Sequence, residues 1–144
     1  MKLSLVVPCF NEEANVKRFF SEVNDAFLCS VEDYEFVFVN DGSKDATYEK
    51  LKEIYEENSA YNIQVLSFSR NFGKEAAIYA GLKASKGDYV CIIDADLQQR
   101  PEVVLKMLEE IQVDENLDCV AAYQEGGKWP TDFVAGMQIV QMIA

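Results

Sequence analysis

A short apolar run, then a polar turn, then a helical repeat: this unit occurs four times in the chain and restricts its fold more than any other feature. The runs are residues 3–10 (Leu-Ser-Leu-Val-Val-Pro-Cys-Phe), 34–40 (Tyr-Glu-Phe-Val-Phe-Val-Asn), 63–68 (Ile-Gln-Val-Leu-Ser-Phe) and 89–93 (Tyr-Val-Cys-Ile-Ile). The last has no alternation at all, which suits a parallel strand covered on both faces. Helical spacing follows each run. Val16, Phe19, Phe20, Val23 and Phe27 mark a helix over 12–28, with Asn11 as its cap and Glu12 and Glu13 in its first turn. Leu51, Ile54 and Tyr55 form the inner face of a second helix. A third, over 74–85, carries the small residues Ala76, Ala80 and Ala84, and a fourth, over 101–112, turns Val104, Leu105, Leu108 and Ile111 inward. Residues 118–123 make a last strand. Strand and helix in strict alternation predict an α/β domain, a mostly parallel sheet with right-handed crossovers and helices on both faces.

Composition narrows the chemistry. The 144 residues make one domain with room for a core, and 49% of them are hydrophobic. A formal net charge of −12 argues against nucleic acid as a partner. A phosphate-bearing ligand would then need a metal and local cations. Histidine is absent, which removes Ser-His-Asp and Cys-His nucleophile systems, histidine zinc sites and a histidine general base. Cys9, Cys29, Cys91 and Cys119 form no C-x-x-C pair and read as buried, reduced thiols of a cytoplasmic protein. No signal peptide is expected, and no run approaches the roughly 18 apolar residues of a membrane span. The expected organisation is a domain over 1–123 and an atypical tail over 124–144. In the tail Gly126, Gly127 and Pro130 break structure, and Phe133, Val134, Met137, Ile139, Val140 and Ile143 form a short apolar stretch.

In open α/β sheets, ligands sit beyond the carboxyl ends of the strands, near the switch in strand order. Polar residues collect there after every strand: Phe10, Asn11 and Glu12; Asn40 and Asp41; Arg70, Asn71 and Lys74; Asp94, Asp96 and Gln98. In an extended segment Asp94, Asp96 and Gln98 would point the same way and line one wall. Two carboxylates so close disfavour each other's ionisation unless a cation intervenes, and a hard divalent ion with oxygen ligands is the simplest remedy. A helix start at Pro101 follows. Neither G-x-G-x-x-G nor a P-loop is present, which argues against dinucleotide and P-loop ligands.

Four separated motifs then agree: Val7-Pro8-Cys-Phe10-Asn11-Glu12-Glu13, Val39-Asn40-Asp41-Gly42-Ser43-Lys-Asp45-Ala-Thr47, Arg70-Asn71-Phe-Gly73-Lys74 and Asp94-Ala-Asp96-Leu-Gln98. Together, over residues 3–123, they resemble family 2 glycosyltransferases of the GT-A fold, the Rossmann-like fold of nucleotide-diphospho-sugar transferases. Within these the chain resembles the polyprenyl-phosphate glycosyltransferases, the group of dolichol-phosphate mannosyltransferase and bactoprenol glucosyltransferases. The resemblance implies an inverting transfer of a hexose from a UDP-glucose or GDP-mannose type donor to a polyprenyl phosphate. It implies that Pro8, Phe10 and Glu12 wall the base and ribose, with Asn40 and Asp41 beside them. The family carries an acidic pair where Asn40 and Asp41 stand, so Asn40 is a departure that bears on base preference. Arg70 and Lys74 match a basic loop near the nucleotide. Asp94, Asp96 and Gln98 match the element that holds Mg²⁺ or Mn²⁺ with the donor's diphosphate and sugar. Arg100 is a further departure, a cation that either meets a phosphate or reaches solvent.

A lipid-phosphate acceptor is already anionic near neutral pH, so such a transfer needs no protein base, which fits a chain without histidine. The family's acceptor-side half is not matched after Tyr123. The expectation is therefore a truncated donor half, cytoplasmic or at the cytoplasmic face of a membrane, with membrane association only through parts absent here. Two alternatives stand: a non-catalytic nucleotide-sugar-binding domain, and a phosphatase of the haloacid-dehalogenase type. The second expects Asp-x-Asp after the first strand and a Thr where Gln98 stands.

Overall fold

The structure, a computed structural model, describes residues 2–114, 117–122 and 140–143. Along the chain run β1 (Leu3–Cys9), α1 (Val16–Phe27), β2 (Tyr34–Asn40), α2 (Thr47–Glu57), β3 (Asn62–Ser67), α3 (Lys74–Ala84), β4 (Tyr89–Ile92), α4 (Pro101–Val113), β5 (Cys119–Ala122) and β6 (Val140–Ile143). The strand order is β3-β2-β1-β4-β6-β5. β3, β2, β1 and β4 are parallel, so the order reverses between β1 and β4. β6 then pairs antiparallel with both β4 and β5. The expected α/β sheet is present, and residues 140–143 add a strand where the sequence left a terminal helix, an interfacial segment or the remnant of something longer equally open. Residues 123–139, including Gly126, Gly127 and Pro130, lie outside the described residues.

The absence of alternation in the strands has its cause in two cores. Leu3, Leu5, Val7 and Cys9 of β1 and Phe36 and Phe38 of β2 face one way, onto α1, α2 and α4. Val6, Val37, Val39 and Ile92 face the other way, onto α3. The larger core is aromatic: Phe36 and Phe38 stack at 5.5 Å, Phe19 meets Phe38 edge-on at 6.4 Å, and Phe20 packs on Phe36 at 5.0 Å. Each such ring contributes roughly 1.5–3 kcal/mol by burial alone.

Three expectations about inward faces shift. Leu51 and Ile54 are buried with Thr47, but Tyr55 is 55% exposed, because the inner face of α2 runs through 47, 51 and 54 and leaves 55 to one side. On α3 the residues against the sheet are Ala77 and Gly81, one position on from Ala76 and Ala80. A Cβ at Gly81 would overlap the Val6 side chain, so the smallest stripe of α3 is the one that lets the helix close on β1. On α4 Met107 joins Val104, Leu108 and Ile111 in the core, and Leu105 is only partly buried. Of the cysteines, Cys9 and Cys91 are buried as expected, whereas Cys29 and Cys119 are exposed. Among the described residues no helix is long and apolar enough to cross a membrane.

Candidate active site

A cleft of about 320 Å³ opens at the carboxyl ends of the strands, where β1 and β4 diverge in sequence order. Pro8 and Cys9 end β1 and Phe10 and Glu12 follow it, Asp41 follows β2, Asn71 lies in the loop before α3, Lys74 and Ala77 in its first turn, and Asp94 and Asp96 follow β4. Seven of the ten residues expected to make a site therefore line one cavity. Phe10 stays 43% exposed there, a large ring held against solvent rather than in the core.

Most of the polar motif residues turn out to fasten loops to one another. Asn11 adopts a left-handed φ of 55° and does not cap α1, which starts at Val16 after Asn15. Instead its N–H donates to Ser43 Oγ at 3.0 Å and its Oδ1 accepts from the Lys44 N–H at 2.9 Å. The Glu12 N–H donates to Thr47 Oγ1 at 2.8 Å, the Glu13 N–H to Asp45 Oδ2 at 3.2 Å, and the Ala46 N–H to Glu13 Oε2 at 2.9 Å. The β1–α1 turn is thus laced to the β2–α2 turn. Asp45 also accepts from the Thr47 hydroxyl at 2.5 Å. Partial burial opposes ionisation of Asp45, but its hydrogen bonds outweigh that and hold its carboxyl below the usual range.

Asp41 does the same for the third loop. Its side chain is buried, 3% exposed, and accepts from the Phe72 N–H at 2.7 Å, the Gly73 N–H at 3.1 Å and Asn71 Nδ2 at 3.0 Å. Gly42 takes a φ of +63°, and a Cβ there would overlap the backbone of Arg70 and Asn71. Only glycine lets the two loops touch at that point. Asn71, named by the motif but not among the expected site residues, both holds Asp41 and lines the cleft. Its signal was present in the Arg-Asn-Phe-Gly-Lys run.

Three expected residues lie elsewhere. Asn40 is buried beneath the loops, where Nδ2 donates to Ser67 Oγ at 2.8 Å and Oδ1 accepts from the Ser43 N–H at 3.2 Å. Both halves of its amide are used to join β2, β3 and the turn. Arg70 sits over the Phe72 ring at 4.3 Å, outside the cleft lining. Gln98 is exposed, because Leu97 has a φ of 62° and turns the segment after Asp96. The Gln98 N–H donates back to Asp96 Oδ1 at 3.1 Å, so Asp94, Asp96 and Gln98 do not share one extended wall. Arg100 is exposed at the start of α4 and also outside the lining.

Cys9 sits among the lining residues but is no nucleophile. Burial first, then the nearby Glu12 and Asp94 charges, push its thiol well above the ordinary value, so it stays protonated. The cleft's cation is Lys74, whose Nζ reaches both oxygens of Asp94 at 2.7 and 2.8 Å. Among the described residues no group of three Asp, Glu, Cys or His side chains gathers as a closed metal cage. Two carboxylates in an open cleft fit a different arrangement, in which a hard divalent ion takes one or two protein oxygens and completes its shell from a ligand's phosphates. Gln99 adds a buried Nε2 with no acceptor, while its Oε1 lies 3.5 Å from the Asp94 N–H. Gln99 itself is not among the cleft-lining residues.

The model of Glycosyl transferase family 2 matches residues 4–138. The chain belongs to this family. Among curated relatives, a dolichol-phosphate mannosyltransferase of Pyrococcus furiosus is 35% identical over 133 residues, covering 90% of this chain and 36% of that protein. A bactoprenol glucosyl transferase of Shigella phage SfX is 44% identical over 112 residues, covering 78% of this chain and 36% of its own. The chain spans well under half the length of these relatives. Among solved structures, a mannosyltransferase from Pyrobaculum calidifontis, in complex with GDP-Man and Mn²⁺, superposes with a TM-score of 0.74 at 21% identity, over 91% of this chain and 36% of that one. A glucosyl-3-phosphoglycerate synthase from Mycobacterium tuberculosis, with Mn²⁺, UDP and phosphoglyceric acid, gives 0.66 at 26% identity, over 88% and 44%. The family's fold is therefore the fold observed, and the phosphatase alternative falls away.

Proposed function

We propose that this chain forms the donor side of an inverting glycosyltransferase that passes a hexose from a UDP- or GDP-sugar to a polyprenyl phosphate in the cytoplasm, at a membrane face reached through other parts of the protein. One observation carries the reading: Phe10 and Glu12 after β1, Lys74 at the head of α3, and Asp94 and Asp96 after β4 line a single cleft at the switch in strand order. Relatives named as dolichol-phosphate and bactoprenol sugar transferases support the acceptor, and the neighbours bound to nucleotides and Mn²⁺ support donor and ion.

Each residue then has a role. The exposed ring of Phe10, with Pro8 and Glu12, offers a wall for base and ribose. Asp94 and Asp96 supply the protein oxygens for Mg²⁺ or Mn²⁺, which would neutralise charge developing on the departing nucleoside diphosphate. Gln98 is left out of that set, and Asn40 and Asp41 serve by fixing the loops. Lys74 and the amino end of α3 present positive potential to the diphosphate. The acceptor phosphate oxygen forms its bond to the anomeric carbon as the bond from that carbon to the diphosphate oxygen breaks. One displacement inverts the centre, and no side chain need take a proton. Holding the donor in place supplies much of the acceleration.

Calorimetric titration with GDP and UDP, with and without Mn²⁺, tests the reading. Binding that requires Mn²⁺ in the unaltered chain and is lost in Asp96→Ala is the expected result. Metal-dependent binding that survives Asp96→Ala would refute it. Labelled nucleotide sugar supplied with polyprenyl phosphate then separates transfer from binding alone.

A further inference from the structure

Lys74 occupies a place that disfavours it. As the first residue of α3 it puts a cation at the positive end of the helix macrodipole. From there it spans to the end of β4 and contacts both oxygens of Asp94. The lysine side chain is 54% exposed and Asp94 only 19%, so the flexible, solvated partner is the lysine and the fixed one the carboxylate. Its backbone is held still: the preceding Phe72 and Gly73 N–H groups are both bound to Asp41. Lys74 can therefore leave Asp94 by rotating its side chain, with no loop movement.

We infer that Lys74 is an exchangeable occupant of the cation site. It holds Asp94 while the cleft is empty and swings to the diphosphate when a nucleotide enters, releasing Asp94 for a divalent ion. The inference rests on the reading of Asp94 and Asp96 as the cation site. Its consequence is coupling: the ion alone meets a competitor already seated, whereas the nucleotide removes that competitor and supplies further oxygens. By linkage, ion and nucleotide each raise the affinity of the other. The arrangement disfavours a metal-loaded but empty enzyme.

The test measures Mn²⁺ binding without nucleotide, from the paramagnetic resonance signal of free Mn²⁺, in the unaltered chain, Lys74→Met, Lys74→Arg and Lys83→Met. Lys74→Met should bind Mn²⁺ about two- to fivefold more tightly, the range an ion pair of this exposure commands. Its affinity for GDP or UDP should fall, and the factor by which nucleotide improves Mn²⁺ binding should shrink. Lys74→Arg keeps a cation beside Asp94 and should bind Mn²⁺ less tightly than Lys74→Met. Lys83→Met removes the same charge from the exposed face of α3 and should show no comparable gain. If Lys74→Met binds Mn²⁺ no better than the unaltered chain, or no better than Lys83→Met, the exchange is wrong while the cation site stands. If Asp94→Asn with GDP or UDP retains Mn²⁺ as the unaltered chain does, the cation site itself is wrong. Thermal melting of each variant identifies any that fails to fold.

Discussion

The two sides of the cleft are built on opposite principles. On one side the turns after β1, β2 and β3 are bound to each other by backbone N–H groups donating to Ser43, Asp45, Thr47, Glu13, Asn11 and Asp41, with Gly42 pressed against the next loop. On the other, the segment after β4 carries two carboxylates that line the cleft and a left-handed Leu97. A 3.5 Å contact from the Asp94 N–H, the Lys74 ion pair, the Gln98 N–H on Asp96 and the buried Ala95 are among what holds it in place. The first side is tied by several short hydrogen bonds between loops, and the second presents its two carboxylates to the cleft.

Substitution at the laced side should therefore show in folding, and the largest effect is expected at Gly42. Gly42→Ala must accommodate both a positive φ and an overlap with the Arg70 and Asn71 backbone, so a loss of about 3 kcal/mol or more is expected in urea unfolding. A loss below about 1 kcal/mol would mean the two loops are not locked together. Asp41→Asn comes next. It sets an amide N–H₂ against donors that now share a carboxylate, and should lose about 2 kcal/mol. It should also weaken nucleotide binding, because the loop carrying Lys74 loosens. An Asp41→Asn chain of unchanged stability that still lost nucleotide would make Asp41 a direct contact instead.

These cases mark what was legible in the sequence. The parallel sheet, the inner face of α1 and the gathering of Phe10, Glu12, Lys74, Asp94 and Asp96 followed from periodicity and from the rule that strand ends converge. Strand order brings those ends together whatever the loops do. What periodicity does not carry is the direction a side chain takes in an irregular loop. Gln98 leaves the cleft through one left-handed residue, and Asn40 turns inward to satisfy Ser67 and a backbone N–H. Motif residues that bind a ligand and motif residues that tie a loop are the same residue types, Asp, Asn, Ser and Thr, so only geometry separates them. Met107 and Gly81 were missed for a simpler reason: a helical stripe is about 100° wide, and neighbouring positions compete for it.

The opposite end of the sheet offers a third, closed region against which to sharpen the contrast. Glu35 at the start of β2 is buried, 2% exposed, and accepts from Ser4 Oγ at 2.6 Å and the Lys86 N–H at 2.6 Å, with Lys2 Nζ at 3.1 Å. Burial raises its acidity constant's pK, but these donors outweigh burial and hold the carboxyl below its ordinary value. A depressed pKa contributes stability that is fully present above the unfolded value and disappears as pH falls through the folded one. Stability measured from about pH 5 downward should therefore fall less steeply in Glu35→Gln than in the unaltered chain, although the variant starts from a lower value at neutral pH. Identical acid limbs would show that the network, not the charge, is what counts there.

The smallest effect on folding, and the sharpest contrast, is expected at Asp96. Asp96→Asn keeps a side-chain oxygen for the Gln98 N–H and removes one of two like charges from the cleft, so the lost interaction and the relieved repulsion oppose each other. Stability should change by no more than about 0.5 kcal/mol, the usual range for sites without a packing role. Mn²⁺-dependent nucleotide binding should nevertheless drop by at least about tenfold, since even indirect supports of a metal site carry that much. Unfolding and calorimetry on the same preparation decide between the two kinds of residue. If Asp96→Asn unfolded as easily as Asp41→Asn, the acidic side would be scaffold like the other, and the contrast between the two sides of the cleft would be lost.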